Sequence, residues 1–531
     1  MEKKRIKTFI IESIIIVVLG LFIGTTTGGS PLFGDLNFID EGQFASWTNQ
    51  MLLGKQMYKD IYITYGPLFI QPLYILFKIV GPSAFLVRLY LTLGSIIGII
   101  IGLYIVYILN ISKIFRWYII VLALLLPIVQ IRQALGLLVL IFAAKSIKEK
   151  SLHSDFLSGL LVIVSFLVSP EIGIFSGFIV FLCYLYRFII EINIHKIILK
   201  FSAFIVGILV PSIVFSLWSS IGGWLGDYIS VTKDVLFLFS GINIPNGQNF
   251  PNILSLAPNN IDILSWVRFV FSKEILIYWA IIFYLSFFLY IVLKLILIKK
   301  KEENEPLIML IGLFGLALLS ILIGRSGIGH FYFTLLPLFI VLIYLMQKGL
   351  FLLKNIKGIN PEKILLVLIM FVIVIFSLRL LLINRPNIFK IIDLPSAILS
   401  SKNNPSFTGP ITISKDQKNY ISSIQSFINL NSDKSDYVFF LTDEPMMYLL
   451  INRKNPTRYD LPYIANNKNK RFELLQDLIV KKPKYIIENE KDWAVDGIDN
   501  RTRLPEISKY INETYHFCNK INSAIIYCLK K

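Results

Sequence analysis

Cysteine is scarce in this chain, with three residues among 531, which excludes a fold held together by a disulfide framework. Cys183 lies in an apolar run, where a thiol packs like a small hydrophobic side chain. Cys518 and Cys528 lie close together near the C-terminus and could pair if that end is extracytoplasmic. A tight hairpin would not place them directly opposite each other, so the sequence leaves this disulfide open.

Charged side chains are also few. They make up 16% of the sequence, against 55% hydrophobic residues, a balance that excludes an ordinary soluble protein of this length. The charges present are unbalanced, with a formal net charge of +18. The lysines fall mostly in short gaps between apolar runs, as in the cytoplasmic loops of membrane proteins, and we therefore exclude a nucleic-acid partner.

Apolar runs of membrane-spanning length recur through the first 385 residues. They are continuous rather than alternating, which favours helices over a barrel. The first run has a basic head, and we interpret it as a retained signal-anchor helix. The runs around 117–169 are short, so tilting or merging of helices is an alternative there. We predict about eleven transmembrane helices, at 8–24, 83–109, 117–131, 133–147, 155–169, 172–190, 197–217, 274–298, 306–323, 331–347 and 364–383.

The distribution of Lys and Arg predicts the orientation. Every second loop is basic, so these loops and the N-terminus are expected to face the cytoplasm of a multi-pass cell-membrane protein. The opposite side carries two long loops, 25–82 and 218–273. An odd number of spans then places the tail outside as well. We predict a membrane domain at 1–383 and an extracytoplasmic domain at 384–531.

The tail differs in composition from the rest of the chain and is rich in Asn, Lys, Asp and Ser. Segments 436–442 and 484–489 are typical of buried strands, whereas 416–430 and 470–480 carry apolar residues at helical spacing. With a terminal pair of strands, they predict a small α/β domain. The tail contains no phosphate-binding loop and no glycine-rich dinucleotide fingerprint.

The first outer loop contains two adjacent carboxylates, Asp40 and Glu41, in "NFIDEGQF". Asp40 is a predicted N-cap, with Gln43 as its capping-box partner. The helix 41–53 carries Phe44 and other apolar residues toward one side, and we expect it to lie at the membrane surface. A second helix is expected to start near Pro67. A purely structural role for the pair is the alternative, with Asp40 as a cap and Glu41 favouring the helix dipole.

The segment "DEGQFASWTNQMLLGKQMYKDIYITYGPL" at 40–68 resembles the GT-C superfamily of membrane glycosyltransferases, which includes protein O-mannosyltransferases and lipid A aminoarabinose transferases. The similarity extends to the multi-span topology and the outer C-terminal domain, and at residue level it is confined to 40–68. It implies an inverting glycosyltransferase that moves a sugar from a polyprenyl-phosphate donor to a lipid, glycan or protein. It also implies catalytic roles for Asp40 and Glu41.

The chemistry of such a transfer predicts which groups the site needs. The acceptor hydroxyl loses a proton as it attacks, and a carboxylate within hydrogen-bond reach can take it. The leaving phosphate needs cations rather than an acid. We predict Asp40 as the base, with Glu41 holding the acceptor or an ion. Arg325 is the predicted phosphate contact, although its side chain could instead extend to the lipid headgroups.

Four further residues stay open between a substrate-binding role and a structural one. His330 binds substrate or is an interfacial imidazole, and Arg132 is a second phosphate contact or a turn residue. Glu171 orients a cation or the acceptor, or caps a helix, whereas Asp60 binds a sugar hydroxyl or caps a turn. A divalent metal ion is compatible with the resemblance, but no His/Asp cluster in the sequence demands one.

Two other functions belong to different classes. A transporter or flippase should show inverted repeats and charges near the middle of the membrane, but the sequence has no internal repeat and its ionisable groups cluster at the outer boundaries. A non-catalytic protein of envelope assembly is the other alternative. The sequence specifies neither the sugar nor the oligomeric state.

Overall fold

The fold is mostly helical, with one small sheet near the C-terminus. The structure is a computed structural model of the full chain. It describes residues 3–23, 32–148, 151–190, 193–239, 250–258, 262–297, 305–324, 328–355, 373–380, 404–491 and 494–530, together with residues 367, 371 and 399.

The helices up to residue 355 form a bundle with long apolar members. Their interior is a continuous apolar core that joins α1, α4–α9 and α13–α15. In chain order the helices are α1 (Lys3–Ile23), α2 (Asp40–Leu52), α3 (Pro67–Val80), α4 (Ala84–Ile108), α5 (Lys113–Leu125), α6 (Ile131–Lys148), α7 (Leu152–Val168), α8 (Pro170–Ile190), α9 (Ile194–Ile221), α10 (Leu225–Phe239), α11 (Ile253–Leu256), α12 (Ile263–Val270), α13 (Lys273–Leu297), α14 (Glu305–Gly324) and α15 (Ile328–Asn355).

Seven of the described helices, α1, α4, α8, α9, α13, α14 and α15, are long and apolar enough to cross a membrane. This confirms a helical multi-span membrane protein. The predicted count of eleven is not confirmed. The predicted spans 117–131 and 155–169 fall on α5 and α7, which have 13 and 17 residues, fewer than the ~20 that a bilayer needs. Half of the span predicted at 364–383 lies outside the described residues, and residues 367, 371 and 373–380 within it are helical.

The tail is a small α/β unit, as predicted. Its sheet has the order β1-β2-β4-β3, with β1 and β2 parallel and the terminal pair antiparallel. The strands are β1 (Val438–Phe440), β2 (Tyr485–Asn489), β3 (Tyr515–Ile521) and β4 (Ala524–Leu529). The helices are α16 (Lys415–Asn431), α17 (Met446–Leu450), α18 (Lys468–Lys481), α19 (Asn500–Arg503) and α20 (Pro505–Thr514).

The terminal hairpin brings Cys518 and Cys528 together in a disulfide, with their Cα atoms 5.8 Å apart. In the regular register His516 is the partner of Cys528. Cys518 falls where the register shifts between Phe517 and Asn519, and a bulge of this kind re-aims a side chain. The two cysteines are therefore not directly opposite each other, as expected, yet they pair.

Helix α2 is buried between the bundle and the tail, and its predicted position at the membrane surface stays a prediction. Its apolar side packs through Phe44 and Trp47 against Tyr65 and the start of α3. Its polar side faces the tail: Asn49 donates to the carbonyl of Tyr448 at 3.1 Å. The polar residues Asn49 and Gln50 are thus hydrogen-bond partners of the tail backbone.

The first loop and the tail share one hydrophobic core. Residues of the loop between Leu36 and Phe77 belong to the same buried cluster as the strands β1 and β2. Hydrogen bonds run across the boundary, from Met446 N to the Phe38 carbonyl at 3.2 Å and from Tyr62 N to the Arg458 carbonyl at 2.8 Å. The tail is therefore packed onto the first loop rather than tethered as a separate module.

A substitution at Gly42 tests this packing, because an added Cβ atom would lie 2.5 Å from the backbone nitrogen of Met446. We expect Gly42→Ala to lower the free energy of unfolding by about 1–3 kcal/mol, the usual cost of overpacking. Gly226→Ala is the control, since Gly226 also lies in the first turn of a helix and a Cβ there meets nothing within 4 Å. Thermal unfolding in detergent measures both. Equal stability of the two variants would show that α2 and α17 are not held at this distance.

Candidate active site

The start of α2 is organised by Asn37 and not by Asp40. The Asn37 side-chain oxygen accepts hydrogen bonds from the backbone N–H groups of Ile39 and Asp40, at 3.1 and 2.8 Å. Asp40 is the first helical residue, and the N-cap position falls on Ile39. The predicted capping box of Asp40 and Gln43 is therefore wrong, because an Asx-type turn at Asn37 takes over the capping one turn earlier.

Glu41 forms a buried ion pair with Arg88 of α4. Its two carboxylate oxygens accept from Nε and Nη2 of Arg88 at 2.8 and 2.7 Å, and both side chains are inaccessible to solvent. Glu41 also accepts from the backbone N–H of Asn37 at 3.2 Å. A carboxylate held by a two-point contact with a guanidinium is strongly oriented. The structure thus gives Glu41 a structural partner, whereas its predicted catalytic role remains a prediction.

Arg88 ties the incoming chain to the same point. Its Nη1 donates to the carbonyls of Phe33 and Gly34 at 3.2 and 2.9 Å, and its Nη2 donates to the carbonyl of Asp35 at 2.8 Å. One guanidinium therefore binds three successive backbone carbonyls together with Glu41. This arrangement fixes the path of the chain directly before Asp40.

Asp40 is exposed, in contrast to its neighbour. Its Oδ2 accepts from the Asn37 side-chain amide at 3.0 Å. Burial raises the pKa of Tyr65, and Asp40 and Glu171 raise it further while Arg132 lowers it. Asp40, Glu171 and Arg132 therefore all affect the pKa of the same phenol. Arg132 lies at the start of α6 and Glu171 at the start of α8.

Arg132 lies in an aromatic and acidic environment at the first turn of α6. Its guanidinium carbon is 4.8 Å from the ring centroid of Tyr65 and 4.4 Å from that of Phe333. Its Nη1 donates to Glu171 at 3.2 Å, and Nε and Nη2 donate to the side-chain oxygen of Gln130. The two predicted residues Arg132 and Glu171 are thus an ion pair. One N–H on each terminal nitrogen of Arg132 has no partner among the described residues.

His330 is brought to the same place. It lies in the first turn of α15, and its ring stacks at 6.3 Å on that of Phe333, the ring that also contacts Arg132.

Arg325 lies outside the described residues, so its predicted contact with phosphate stays a prediction. Asp60 has a turn geometry: it accepts from the backbone N–H of Gln56 and donates its own to the Gln56 carbonyl, both at 2.9 Å.

The helices that carry these groups begin at the same end of the bundle. Helices α6, α8 and α15 each place one of Arg132, Glu171 and His330 in their first turn, beside the first loop and the tail. We call this the loop end, and the opposite end, with Lys113, Arg116, Lys145 and Lys148, the basic end. The partial positive charge at helix N-termini favours an anionic ligand at the loop end.

The far end of α2 is also fixed by the tail. Lys55 donates to the carbonyl of Thr457 at 2.7 Å. Burial lowers the pKa of Lys55 to about 8, and Asp460 opposes this shift. Burial likewise raises the pKa of Asp460, while Lys55 lowers it. The charges of Lys55 and Asp460 each offset part of the effect of burial on the other. Their attraction holds the end of α2 against the tail.

Several groups of the site have no counterpart among the sequence-predicted residues. Arg88 falls inside the predicted span 83–109, and Tyr65, Gln130 and Phe333 looked like ordinary loop and span residues. The signal for Arg88 was present, because an arginine within a membrane-spanning run needs a partner.

In the part of the chain that the structure describes, no group of three or more His, Cys, Asp or Glu is placed to hold a metal ion.

Comparison with known proteins gives distant structural likenesses. No family model matches the chain, and no curated protein matches it. Among solved structures, it is similar to the archaeal oligosaccharyltransferase AglB from Archaeoglobus fulgidus, determined in complex with an inhibitory peptide and a dolichol-phosphate. The TM-score is 0.49 and the identity 12%, over 100% of this chain and 74% of that chain. We infer nothing about the site from a likeness at this level.

The buried ion pair can be tested by Arg88→Met. We expect a loss of about 3–5 kcal/mol in the free energy of unfolding, because the change leaves the Glu41 carboxylate buried without its partner. Arg471→Met is the matched control: Arg471 binds Glu506 at 2.8 Å, but both side chains are partly exposed, and such pairs contribute about 0–1 kcal/mol. Denaturant unfolding in detergent measures the difference. A stability of Arg88→Met equal to that of the control contradicts the assigned role of this pair.

Proposed function

We propose that this protein transfers a sugar from a polyprenyl-phosphate carrier to an acceptor hydroxyl at the loop end of the bundle. One observation carries the proposal: the ring of Tyr65 lies 5.1 Å from that of Phe44, one turn after the exposed Asp40, and 4.8 Å from the guanidinium carbon of Arg132. A carboxylate base and a phosphate-binding cation are the two groups that the reaction requires. The basic loops of the opposite end support an extracytoplasmic loop end in the cell membrane.

Arg132 is suited to the phosphate of the carrier. The Tyr65 and Phe333 rings and the Glu171 carboxylate fix the guanidinium, so little side-chain freedom is lost when a ligand binds. The remaining N–H groups of its terminal nitrogens can form the paired hydrogen bonds that guanidinium makes with phosphate. The N-termini of α6, α8 and α15 add a partial positive charge, and His330 is a further proposed contact. Arg325, close in sequence to His330, is a proposed second contact.

Asp40 is the proposed base. It is exposed to a bound acceptor, whereas Glu41 is inaccessible and has both oxygens engaged by Arg88. Glu41 then acts as a positioning residue for Asp40. As the acceptor oxygen attacks the anomeric carbon, its proton passes to Asp40 and the bond from that carbon to the phosphate oxygen breaks. A single direct displacement inverts the configuration at that carbon.

The organisation of the chain in this proposal follows the two predicted parts. Residues 1–383 form the membrane domain with the reacting groups, and residues 384–531 form the extracytoplasmic unit. The tail packs on α2 and on the Tyr-rich segment that follows it, so it supports the loop that presents Asp40. A lipid, a glycan and a protein remain the candidate acceptors.

The base is tested by Asp40→Asn, which cannot take up a proton. We expect normal protein level and sugar transfer reduced by about a hundredfold or more, the scale for losing a general base. Asp416→Asn is the control, because Asp416 is also an exposed acid in the first turn of a helix, α16. Transfer of radiolabelled sugar from a polyprenyl-phosphate donor in proteoliposomes measures both. If Asp40→Asn transfers sugar at the parent rate, Asp40 is not the base.

The phosphate contact is tested by Arg132→Lys, which keeps the charge but loses the planar donor pair. We expect the KM for the donor to rise about tenfold, since a hydrogen bond to a charged group contributes about 1.5–3 kcal/mol. Arg501→Lys serves as the control, because Arg501 binds Glu488 in the tail. An unchanged KM in Arg132→Lys, at normal protein level, would limit Arg132 to a structural role.

A further inference from the structure

We propose that the groove between α1 and α4 binds one hydrocarbon chain of an anionic phospholipid, whose phosphate is held by the basic first turns of α1. The groove has a volume of about 380 Å³. Six residues of α1 between Phe9 and Val18 line it, together with Ile100 of α4. All of these side chains except Ser13 are apolar. This site is separate from the proposed reaction site, and only the choice of a bulk phospholipid over the polyprenyl carrier rests on the proposed function.

The location of the groove selects a hydrocarbon ligand. Both α1 and α4 are long and apolar enough to cross a membrane. Only 17% of the residues in the apolar stretch of α1 are buried inside the protein, whereas 78% are buried in the corresponding stretch of α15. The groove therefore opens onto lipid and not onto water. Ile10 and Ile14 in its wall are 51% and 58% exposed, so a lipid chain can cover a large apolar area there.

The length of the groove matches one leaflet. The nine-residue step from Phe9 to Val18 spans ~14 Å at the helical rise per residue. Half of a bilayer's hydrocarbon core is ~15 Å thick. One acyl chain of a phospholipid therefore fits along the groove with its glycerol end near Phe9.

The basic side chains at that end of the groove select an anionic headgroup. Arg5 lies one turn before Phe9, and its guanidinium is anchored to the Asn110 side chain at 2.7 Å and to the Tyr107 carbonyl at 2.9 Å. Each of its terminal nitrogens makes one of these bonds, and further N–H groups remain for a phosphate. Lys3, Lys4 and Lys7 are exposed around it.

The acidic side chain of α1, Glu12, does not oppose this charge. Glu12 is buried on the side of α1 that faces the bundle, where it accepts from the Tyr107 hydroxyl at 2.8 Å and pairs with Arg116 at 3.4 Å. The first turns of α1 thus keep a net positive charge toward the lipid. Interfacial Lys and Arg each strengthen binding to anionic lipid headgroups.

The charge distribution also favours a bulk phospholipid over the polyprenyl carrier. The carrier phosphate is proposed to bind at Arg132, at the loop end. The groove presents its cations at the basic end, so its lipid belongs to the opposite leaflet. A two-chain phospholipid with one chain in the groove and the other in the bilayer satisfies this geometry.

The test is native mass spectrometry of the detergent-solubilised full chain titrated with phosphatidylglycerol or with phosphatidylcholine. The parent should retain phosphatidylglycerol in preference to phosphatidylcholine. Ile14→Trp, which fills the groove, and Arg5→Gln, which removes the phosphate contact, should each reduce retained phosphatidylglycerol about fivefold, the factor for one basic residue near an anionic lipid. Ile282→Trp is the matched control, because Ile282 is 57% exposed on α13, and it should bind like the parent.

Three results would overturn the proposal. One is equal retention of phosphatidylglycerol by Ile14→Trp and Ile282→Trp, with each variant monodisperse in gel filtration. Another is equal retention of the two phospholipids by the parent. The third is displacement of phosphatidylglycerol by equimolar polyprenyl phosphate in the parent but not in Ile14→Trp, which would assign the groove to the carrier.

Discussion

The contact between Glu41 and Arg88 determines how the first loop meets the membrane bundle. A buried guanidinium is unfavourable unless its donors are paired, and here Arg88 binds a carboxylate and three backbone carbonyls at once. The loop therefore has one path across the end of α4. Asp40, adjacent to the pair, is held at a defined position while its side chain stays exposed. The pair "DE" thus places a buried, paired acid beside an exposed one.

The tail stabilises the opposite side of the same loop. Tail backbone carbonyls accept from Asn49, Gln50 and Lys55, and the apolar residues of both parts form one core. The side-chain amides of Asn49 and Gln50 are thereby satisfied without water. This explains how a helix with so many polar residues is buried at the end of a membrane bundle.

Much of the fold could be predicted because it depends on local patterns. Long apolar runs determine α1, α4, α8, α9 and α13–α15, and short alternating or continuous apolar segments determine the tail strands and helices. Sequence reasoning failed where side chains meet partners distant in the chain. Asp40 looked like a cap because Asn37 takes that role from outside the expected helix. The Arg132–Glu171 pair and the packing of α2 against α17 depend on contacts 39 and about 400 residues apart in the chain, which no local spacing encodes.

The proposed sugar transfer requires the carrier phosphate to bind at the loop end, beside Asp40. An electron cryomicroscopy structure of the full chain with polyprenyl phosphate tests this directly. We predict phosphate density within hydrogen-bonding distance of the Arg132 guanidinium, ~2.7–3.2 Å, at the end of the bundle where Asp40 lies. Phosphate density at the basic end of the bundle, or at the loop end but remote from both Arg132 and Asp40, would contradict the account.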